Sequence, residues 1–533
     1  MNIWIVSREY NGIAEAGGVK NVTCSLAENL VKLGQFVTVF IPLYGCTNIS
    51  ILKEYRCIWH HPVVVCVQGR HVIVTFCHGV MNGVEFVFVC HRAFAEKKAV
   101  YTYTKDEELK NPSHRKGSGH EDAAFLNTLF QKAVAAYGET CTPEESPDII
   151  HCQDATTAFI PSFVTAAMQS STKLAAFYRN TRCLVTIHNA GAGYHHEFSS
   201  LSDAAAYTGL PQEELARGLC NGRVEPFLLA ARHACLTTVS PEYARELLTL
   251  DDMTGGLSNA LSRDCIPITG ITNGIDFSRY DPADTAVSLL PCAFSPRDGD
   301  LEGKYRCRDV FLADFASRAC MEGAMLPGVE QHGFLDASAG DSAVYFTYHG
   351  RVVAQKGIPV LAAAAERLLQ KNLSAKFIFI GQGEPELEQE LVRLSESYPG
   401  SCVFFNGYDR ALSRLCIAAA DFAVCPSFFE PCGLEDFIAQ VYGTLPVAHA
   451  TGGLCKIVDE KTGFLYSENT PEELFVMLYA LTKTLRLGGR KLFAPMIQYA
   501  AQYIREHYAW EHVAKDKYIA LYHQLLDAAP IKK

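Results

Sequence analysis

Short apolar runs alternate with amphipathic helical stretches along nearly the whole chain. The first set of runs predicts strands at Asn2–Val6, Phe36–Ile41, Val63–Val67, Val72–Phe76, Glu85–Cys90, Asp148–Cys152, Cys183–His188 and Cys235–Val239. After a break the rhythm restarts with Ala343–Tyr348, Lys376–Ile380, Cys402–Phe405, Asp421–Cys425 and Leu445–Ala448. Several runs are apolar throughout, as parallel strands covered on both faces must be. This alternation predicts an α/β protein with doubly wound parallel sheets. Residues 63–90 are dense in strand pattern with Gly83 in a turn, so a hairpin interrupts the first domain.

Between Ile275 and Ser342 the rhythm is lost among Pro282, Pro291, Pro296, Pro327 and several glycines. The chain therefore divides into an α/β domain over 1–274, a connection over 275–342, a second α/β domain over 343–510 and a terminal helix over 511–533. Within that helix Val513, Tyr518, Leu521, Tyr522 and Leu525 share one face. The charged segment Lys98–Glu121, with Ser118 between two glycines, reads as a mobile loop.

Composition narrows the partners. The 533 residues carry a formal charge of −11, so the chain has no general affinity for nucleic acid or an anionic membrane. Any phosphate it binds needs a local cluster of cations and backbone N–H groups. No apolar run reaches the ~18–20 residues that span a bilayer. Met1–Val6 has no basic leader and reads as a first strand. The 20 cysteines form no C-x-x-C pair, and Cys66, Cys90, Cys183 and Cys425 lie in apolar runs. They read as small buried hydrophobes of a soluble, reduced, cytoplasmic protein.

Ligands of open α/β sheets sit outside the carboxyl ends of the strands, so polar residues just after strands are the candidates. Glu15-Ala16-Gly17-Gly18 opens a helix after the first strand, with glycines that let N–H groups face phosphate. Asp154 ends His151-Cys152-Gln153-Asp154; it suits either sugar hydroxyls or a helix cap. His188 ends the strand before Asn189. Arg351 and Lys356, in a loop bracketed by Gly350 and Gly357, offer the fixed positive charge a diphosphate leaving group needs. Glu430 precedes Pro431-Cys432-Gly433-Leu434, a rigid carboxylate–turn–helix start. Thr451-Gly452-Gly453 is a further candidate anion site. The adjacent pair His195-His196 cannot share a helix face, and no metal is expected.

Taken together these segments resemble the bacterial glycogen synthase and starch synthase family. The resemblance runs in order through Ile187-His188-Asn189, Thr238 to Ala244, Asn273-Gly274-Ile275-Asp276, Arg351 to Gly357, Glu430-Pro431-Cys432-Gly433-Leu434, Tyr442-Gly443-Thr444-Leu445-Pro446 and Thr451-Gly452-Gly453-Leu454. It implies a GT-B architecture: two Rossmann-like domains facing a deep cleft and a C-terminal helix crossing back to the first. It implies a retaining transferase that uses no cofactor and passes glucose from ADP-glucose, with UDP-glucose as the alternative donor, to an α-1,4-glucan such as glycogen. By the same resemblance Arg351 and Lys356 hold the diphosphate, Glu430 binds the glucose hydroxyls, and His188 and Asp154 contact the sugar near its 6-hydroxyl. Asn273 lines the cleft and Tyr408 stacks on the base. Backbone N–H groups near Gly17 and Gly18, at Cys432, Gly433 and Leu434, and at Gly452 and Gly453 complete the donor pocket.

Four departures from the family pattern stand out. Glu15 takes the place of a usual Lys, and Asn21 that of an acidic residue. Ala155-Thr156 replace Trp and His, and Glu435-Asp436 replace Thr and Gln. They are expected to add negative charge to the rim of the cleft and to remove an aromatic ring from it. Three readings follow: an active synthase with altered donor or acceptor preference, a catalytically weakened relative that binds glucan or nucleotide, and a related retaining transferase with another donor or acceptor.

Overall fold

The computed structural model describes residues 1–321, 326–336, 343–371 and 373–528. The chain forms two compact units, Met1–Asn273 with Trp510–Lys533, and Gly274–Ala509.

The first unit is built on a nine-stranded sheet. Its strands are β1 (Asn2–Val6), β2 (Phe36–Pro42), β3 (Lys53–Val67), β4 (Arg70–Met81), β5 (Val84–Cys90), β6 (Ile149–Gln153), β7 (Arg182–Ile187), β10 (Cys235–Thr238) and β11 (Ile268–Gly270). A two-residue hairpin, β8 (Leu219–Cys220) and β9 (Arg223–Val224), stands apart. The sheet order is β11-β10-β7-β6-β1-β2-β5-β4-β3. It is parallel from β11 to β5, and β4 and β3 fold back antiparallel at the edge. The hairpin expected around Gly83 is present, and Gln68-Gly69 and Asn82-Gly83 make its two tight turns with positive φ.

Two expectations for this unit change. The segment 98–121 is folded down: Val100 and Tyr103 are buried, Thr104 and Glu107 form a capping box, and Tyr103 stacks on His114 at 4.0 Å. Its charges face outward while its aromatic residues turn in, which composition alone conceals. Cys57 and Cys77, opposite each other in the β3–β4 register, are joined in a disulfide, and Cys90 Sγ lies 3.3 Å from Cys77 Sγ. The reading of every cysteine as a free thiol fails here because strand register places two of them face to face.

The terminal residues belong to the first unit. Val513, Tyr518 and Tyr522 are buried, and the Tyr522 hydroxyl meets His151 Nδ1 on β6 at 2.8 Å. Residues 529–533 of the expected helix lie outside the described residues.

The second unit carries β12 (Val329–Leu335), β13 (Val344–His349), β14 (Ala375–Gly381), β15 (Ser401–Gly407), β16 (Phe422–Cys425), β17 (Leu445–His449) and β18 (Phe464–Tyr466), in the order β12-β15-β14-β13-β16-β17-β18. Only β12 runs antiparallel, against β15. The stretch read as a connection is integral to this unit. Ile275, Leu290, Phe294, Phe311 and Leu335 join its core.

The helix Glu302–Asp314 looks polar in sequence yet is stapled inward. Lys304 Nζ donates to the carbonyls of Ala418 and Ala420, each at 2.8 Å, and to Thr444 Oγ1 at 2.7 Å. Arg308 and Arg490 both grip Asp421, at 2.6 and 2.9 Å. Buried charges are tolerated where partners satisfy them. Hydrophobic periodicity cannot find such a helix. Residues 322–325 and 337–342 of the expected connection lie outside the described residues.

Candidate active site

In the first unit β1, β6 and β7 are neighbours whose carboxyl ends share one sheet edge. Glu9, Asp154 and His188 follow them in turn. Asp154 has φ 69°, a conformation that costs strain in any residue but glycine. It caps no helix with its side chain; instead Oδ1 accepts from His188 N at 3.3 Å. Burial pushes its carboxyl up to about 7, against the pull of backbone N–H groups of His188, Asn189 and Ala155. His188 is buried, and burial lowers its pKa to about 4, so the ring is neutral near pH 7. Its Nε2 lies 2.8 Å from Gln153 Oε1. Deeper in the unit, His151 bridges Tyr522 to Thr186 Oγ1 (2.7 Å), which reaches Thr237 Oγ1 at 2.7 Å.

The glycine loop differs from expectation. Glu9, buried and unremarked in the sequence, accepts from the backbone of Ala16 at 3.2 Å, from Gly17 N and from the Tyr101 hydroxyl at 2.8 Å. Burial raises its pKa despite those donors. The Gly17 N–H is therefore spent inside the protein, not aimed at a phosphate. Gly18 opens the helix Val19–Lys32, which has no side-chain cap and no acidic residue in its first turn, so that helix start is the part of the loop suited to an anion. Arg8 braces the arrangement through Tyr44 (2.8 Å), Asn127 (2.7 Å) and the carbonyl of Val100 (2.7 Å).

Glu15 accepts from Gly12 N at 2.6 Å and pairs with Lys20 at 2.9 Å, so the reversed charge at position 15 is answered within the loop. Ala155 and Thr156 are 1 % and 5 % exposed. They are interior residues, not part of a rim. Asn273 Oδ1 is buried without a hydrogen bond among the described residues.

In the second unit β15, β14, β13, β16 and β17 end at one sheet edge. Tyr408, Arg351 with Lys356, Glu430, and Gly452 with Gly453 follow β15, β13, β16 and β17. Lys356 Nζ is ion-paired with Glu430 Oε2, and Ser427 Oγ donates to the same oxygen at 3.2 Å. The two loops meet backbone to backbone: a Cβ on Gly357 would stand 1.8 Å from the Pro426 carbonyl oxygen, and Phe428 N donates to Gln355 O at 2.9 Å. Glycine at 357 is what lets Lys356 reach Glu430. Arg351 is exposed, and its guanidinium makes no hydrogen bond or ion pair among the described residues. Tyr408 is 59 % exposed at the end of β15.

Gly453 also departs from its expected role. Its N–H donates to the Glu430 carbonyl at 2.7 Å, and a Cβ there would lie 2.1 Å from the Cys432 carbonyl oxygen. It joins two loops rather than binding an anion. The turn Cys432-Gly433-Leu434 is held from the same side. Buried Lys456 donates to the carbonyls of Cys432 (2.5 Å), Gly433 (3.2 Å) and Gly453 (3.0 Å) and to Asp436 Oδ1 at 2.9 Å.

The negative charge expected from Glu435-Asp436 is thus matched: Asp436 by Lys456, and Glu435 by His349 Nδ1 at 2.8 Å. The neutralising partners come from other strands, so sequence neighbours alone misjudge the local charge. Glu9, Tyr101 and Lys456 were not found from sequence. For Glu9 and Lys456 the one available signal is a charge inside, or just after, an apolar run; uncharged Tyr101 offers none.

Comparison with known proteins fits these two edges. A family model described as "Starch synthase catalytic domain" matches residues 2–263, and one described as "Glycosyl transferases group 1" matches residues 343–483. The chain belongs to the glycogen and starch synthase family of retaining glycosyltransferases. Glycogen synthases of Thermodesulfovibrio yellowstonii and Exiguobacterium sibiricum are each 28 % identical to it; the alignments cover 99 % of this chain and 98 % and 100 % of those relatives. The catalytic domain of starch synthase IV from Arabidopsis thaliana, solved bound to ADP and acarbose, shares the fold with a TM-score of 0.79, 23 % identity and 99 % coverage of both chains. Each unit is thus one Rossmann-like half of the family's GT-B fold.

Proposed function

We propose that this family member is a glycogen synthase that transfers glucose, with retention, from ADP-glucose to the non-reducing 4-hydroxyl of an α-1,4-glucan. Its end-to-end similarity to glycogen synthases supports the substrate pair, and the ADP bound by the Arabidopsis relative supports the donor base. The observation that carries the reading is the Lys356–Glu430 pair on loops after adjacent strands, with Arg351 on the same loop as Lys356.

In this mechanism Arg351 and Lys356 take the diphosphate. Breaking the bond at C1 leaves an oxocarbenium-like sugar beside a diphosphate anion, and fixed cations on the leaving group are electrostatic preorganisation. Lys356 then exchanges part of its pairing with Glu430 for the phosphate, while Glu430 turns its other oxygen to the sugar hydroxyls. The leaving phosphate deprotonates the incoming 4-hydroxyl on the same face, which accounts for retention without a pair of flanking carboxylates. Asp154 and the neutral His188 hold the sugar near its 6-hydroxyl, and Tyr408 stacks on the base.

A cytoplasmic location suits this donor. Among the described residues 18 cysteines are free thiols, and no helix is long and apolar enough to cross a membrane. The pairing of Glu435 with His349 and of Asp436 with Lys456 answers one of the departures that favoured a weakened binding relative.

The test is nucleotide release and chain extension with glycogen and either ADP-glucose or UDP-glucose. Turnover preferring ADP-glucose is expected. Glucan binding without turnover on either donor overturns the reading.

A further inference from the structure

Gln153 is the last residue of β6, directly before Asp154, and it is 2 % exposed. Its Oε1 stands 2.8 Å from His188 Nε2 on the neighbouring strand. An amide oxygen can only accept, so His188 carries its proton on Nε2 and presents Nδ1 as a lone pair. The other end of the same amide is unspent: Gln153 Nε2 is buried and makes no hydrogen bond among the described residues. Buried donors in folded proteins are nearly always satisfied, and an exception at a strand end in a ligand site calls for a ligand.

The groups around the pair are accounted for. Asp154 Oδ1 accepts from the His188 backbone. His151 is engaged by Tyr522 and Thr186, and burial lowers its pKa to about 3. No carboxylate bonds the His188 ring among the described residues, so a neutral amide alone sets its tautomer.

We infer that Gln153 is a positioning residue of the sugar site: its carbonyl orients His188 with Nδ1 as acceptor, and its amide N–H donates to a hydroxyl oxygen of the bound glucosyl ring. Together the two side chains offer one acceptor and one donor, the pattern that suits a sugar hydroxyl, which both gives and takes a hydrogen bond. The second half of this assignment rests on the glucosyl-transfer reading above; the tautomer does not.

Two variants test it. Gln153→Glu keeps the shape, turns the donor into an acceptor and sets a carboxylate against His188. Gln153→Leu removes both hydrogen bonds. In each, the KM for ADP-glucose is expected to rise roughly tenfold, the effect of one lost hydrogen bond of good geometry. The inhibition constant of ADP, which has no glucose, stays within about twofold. Thermal unfolding of both variants separates misfolding from loss of contact. Equal losses for ADP and ADP-glucose, or unchanged KM in both folded variants, overturn the sugar contact.

The tautomer is read independently by nitrogen-15 NMR of labelled histidine, with the His188 signals identified by their loss in His188→Gln. A pyridine-type Nδ1 is expected in the wild type, and the ring is expected to titrate at higher pH in Gln153→Glu. A pyridine-type Nε2 overturns the assignment. Should the wild type turn over no nucleotide-sugar, the functional reading and the sugar contact fall together, and the NMR result still decides the role of the carbonyl.

Discussion

Lys356 and Glu430 lie 74 positions apart, on loops after the adjacent strands β13 and β16, and form one ion pair in which both side chains are largely buried, 21 % and 16 % exposed. Ser427 donates to the Glu430 oxygen that Lys356 holds. The cation assigned to the leaving group and the carboxylate assigned to the sugar are therefore electrostatically coupled.

Lys356→Ala and Glu430→Ala are each expected to lower kcat at least ~100-fold, roughly 2.7 kcal/mol of transition-state stabilisation. Because the two act as a unit, the double variant should cost clearly less than the product of the single losses. Steady-state rates for the three proteins decide this. Near-normal kcat in both single variants would remove these residues from the site.

Asp154 gives a pH signature. Its folded-state pKa is raised from 3.8 to about 7. Between those values the unfolded chain has lost a proton that the folded protein keeps, so stability falls as pH rises through this window and is level above it. Asp154→Asn should therefore gain melting temperature over the wild type above pH 7, with the gain vanishing near pH 4, while kcat falls. A constant difference at every pH would mean that the carboxyl does not titrate as described.

The His349–Glu435 pair predicts a second, two-sided dependence. Burial opposes charge on His349, but Glu435 outweighs it and raises the imidazole above its ordinary 6.5. Burial likewise opposes the Glu435 charge, and His349 with Lys356 outweighs it, holding the carboxyl below 4.5. The stabilisation is complete between 4.5 and 6.5. It is lost as pH rises through the folded-state value of His349 or falls through that of Glu435. Melting curves of Glu435→Gln should lie furthest below the wild type in that window and converge with it at alkaline pH.

Lys456 predicts the largest structural effect. Lys456→Met leaves Asp436 buried without its cation, a change that costs about 3–5 kcal/mol. The double variant Lys456→Met with Asp436→Asn should recover much of that stability. Its kcat should stay low, because the carbonyls of Cys432, Gly433 and Gly453 lose their common donor. Chemical denaturation and kinetics of the wild type and these two variants check both halves.

Strand positions, the β3–β4–β5 hairpins and the strand-end places of Asp154, His188, Arg351, Lys356 and Glu430 were legible in the sequence, because local pattern and chain direction determine them. Local sequence fits Asp154 equally as a helix cap and as a ligand. Its positive φ and its bond to His188 belong to the meeting of two strands, which no local pattern encodes.

By itself the sequence determined two parallel α/β domains and the family they belong to, since continuous apolar runs and short motifs are properties of neighbouring residues. Only the tertiary structure decided that residues 275–321 and 326–336 are part of the second unit, that Gly17 and Gly453 spend their N–H groups inside the protein, and that Glu15, Glu435 and Asp436 each have a basic partner. The physical reason is common to all three: a buried charge or donor is stabilised by whichever partner lies within about 3 Å, and for Glu435 and Asp436 that partner is 20 or more positions away in the chain.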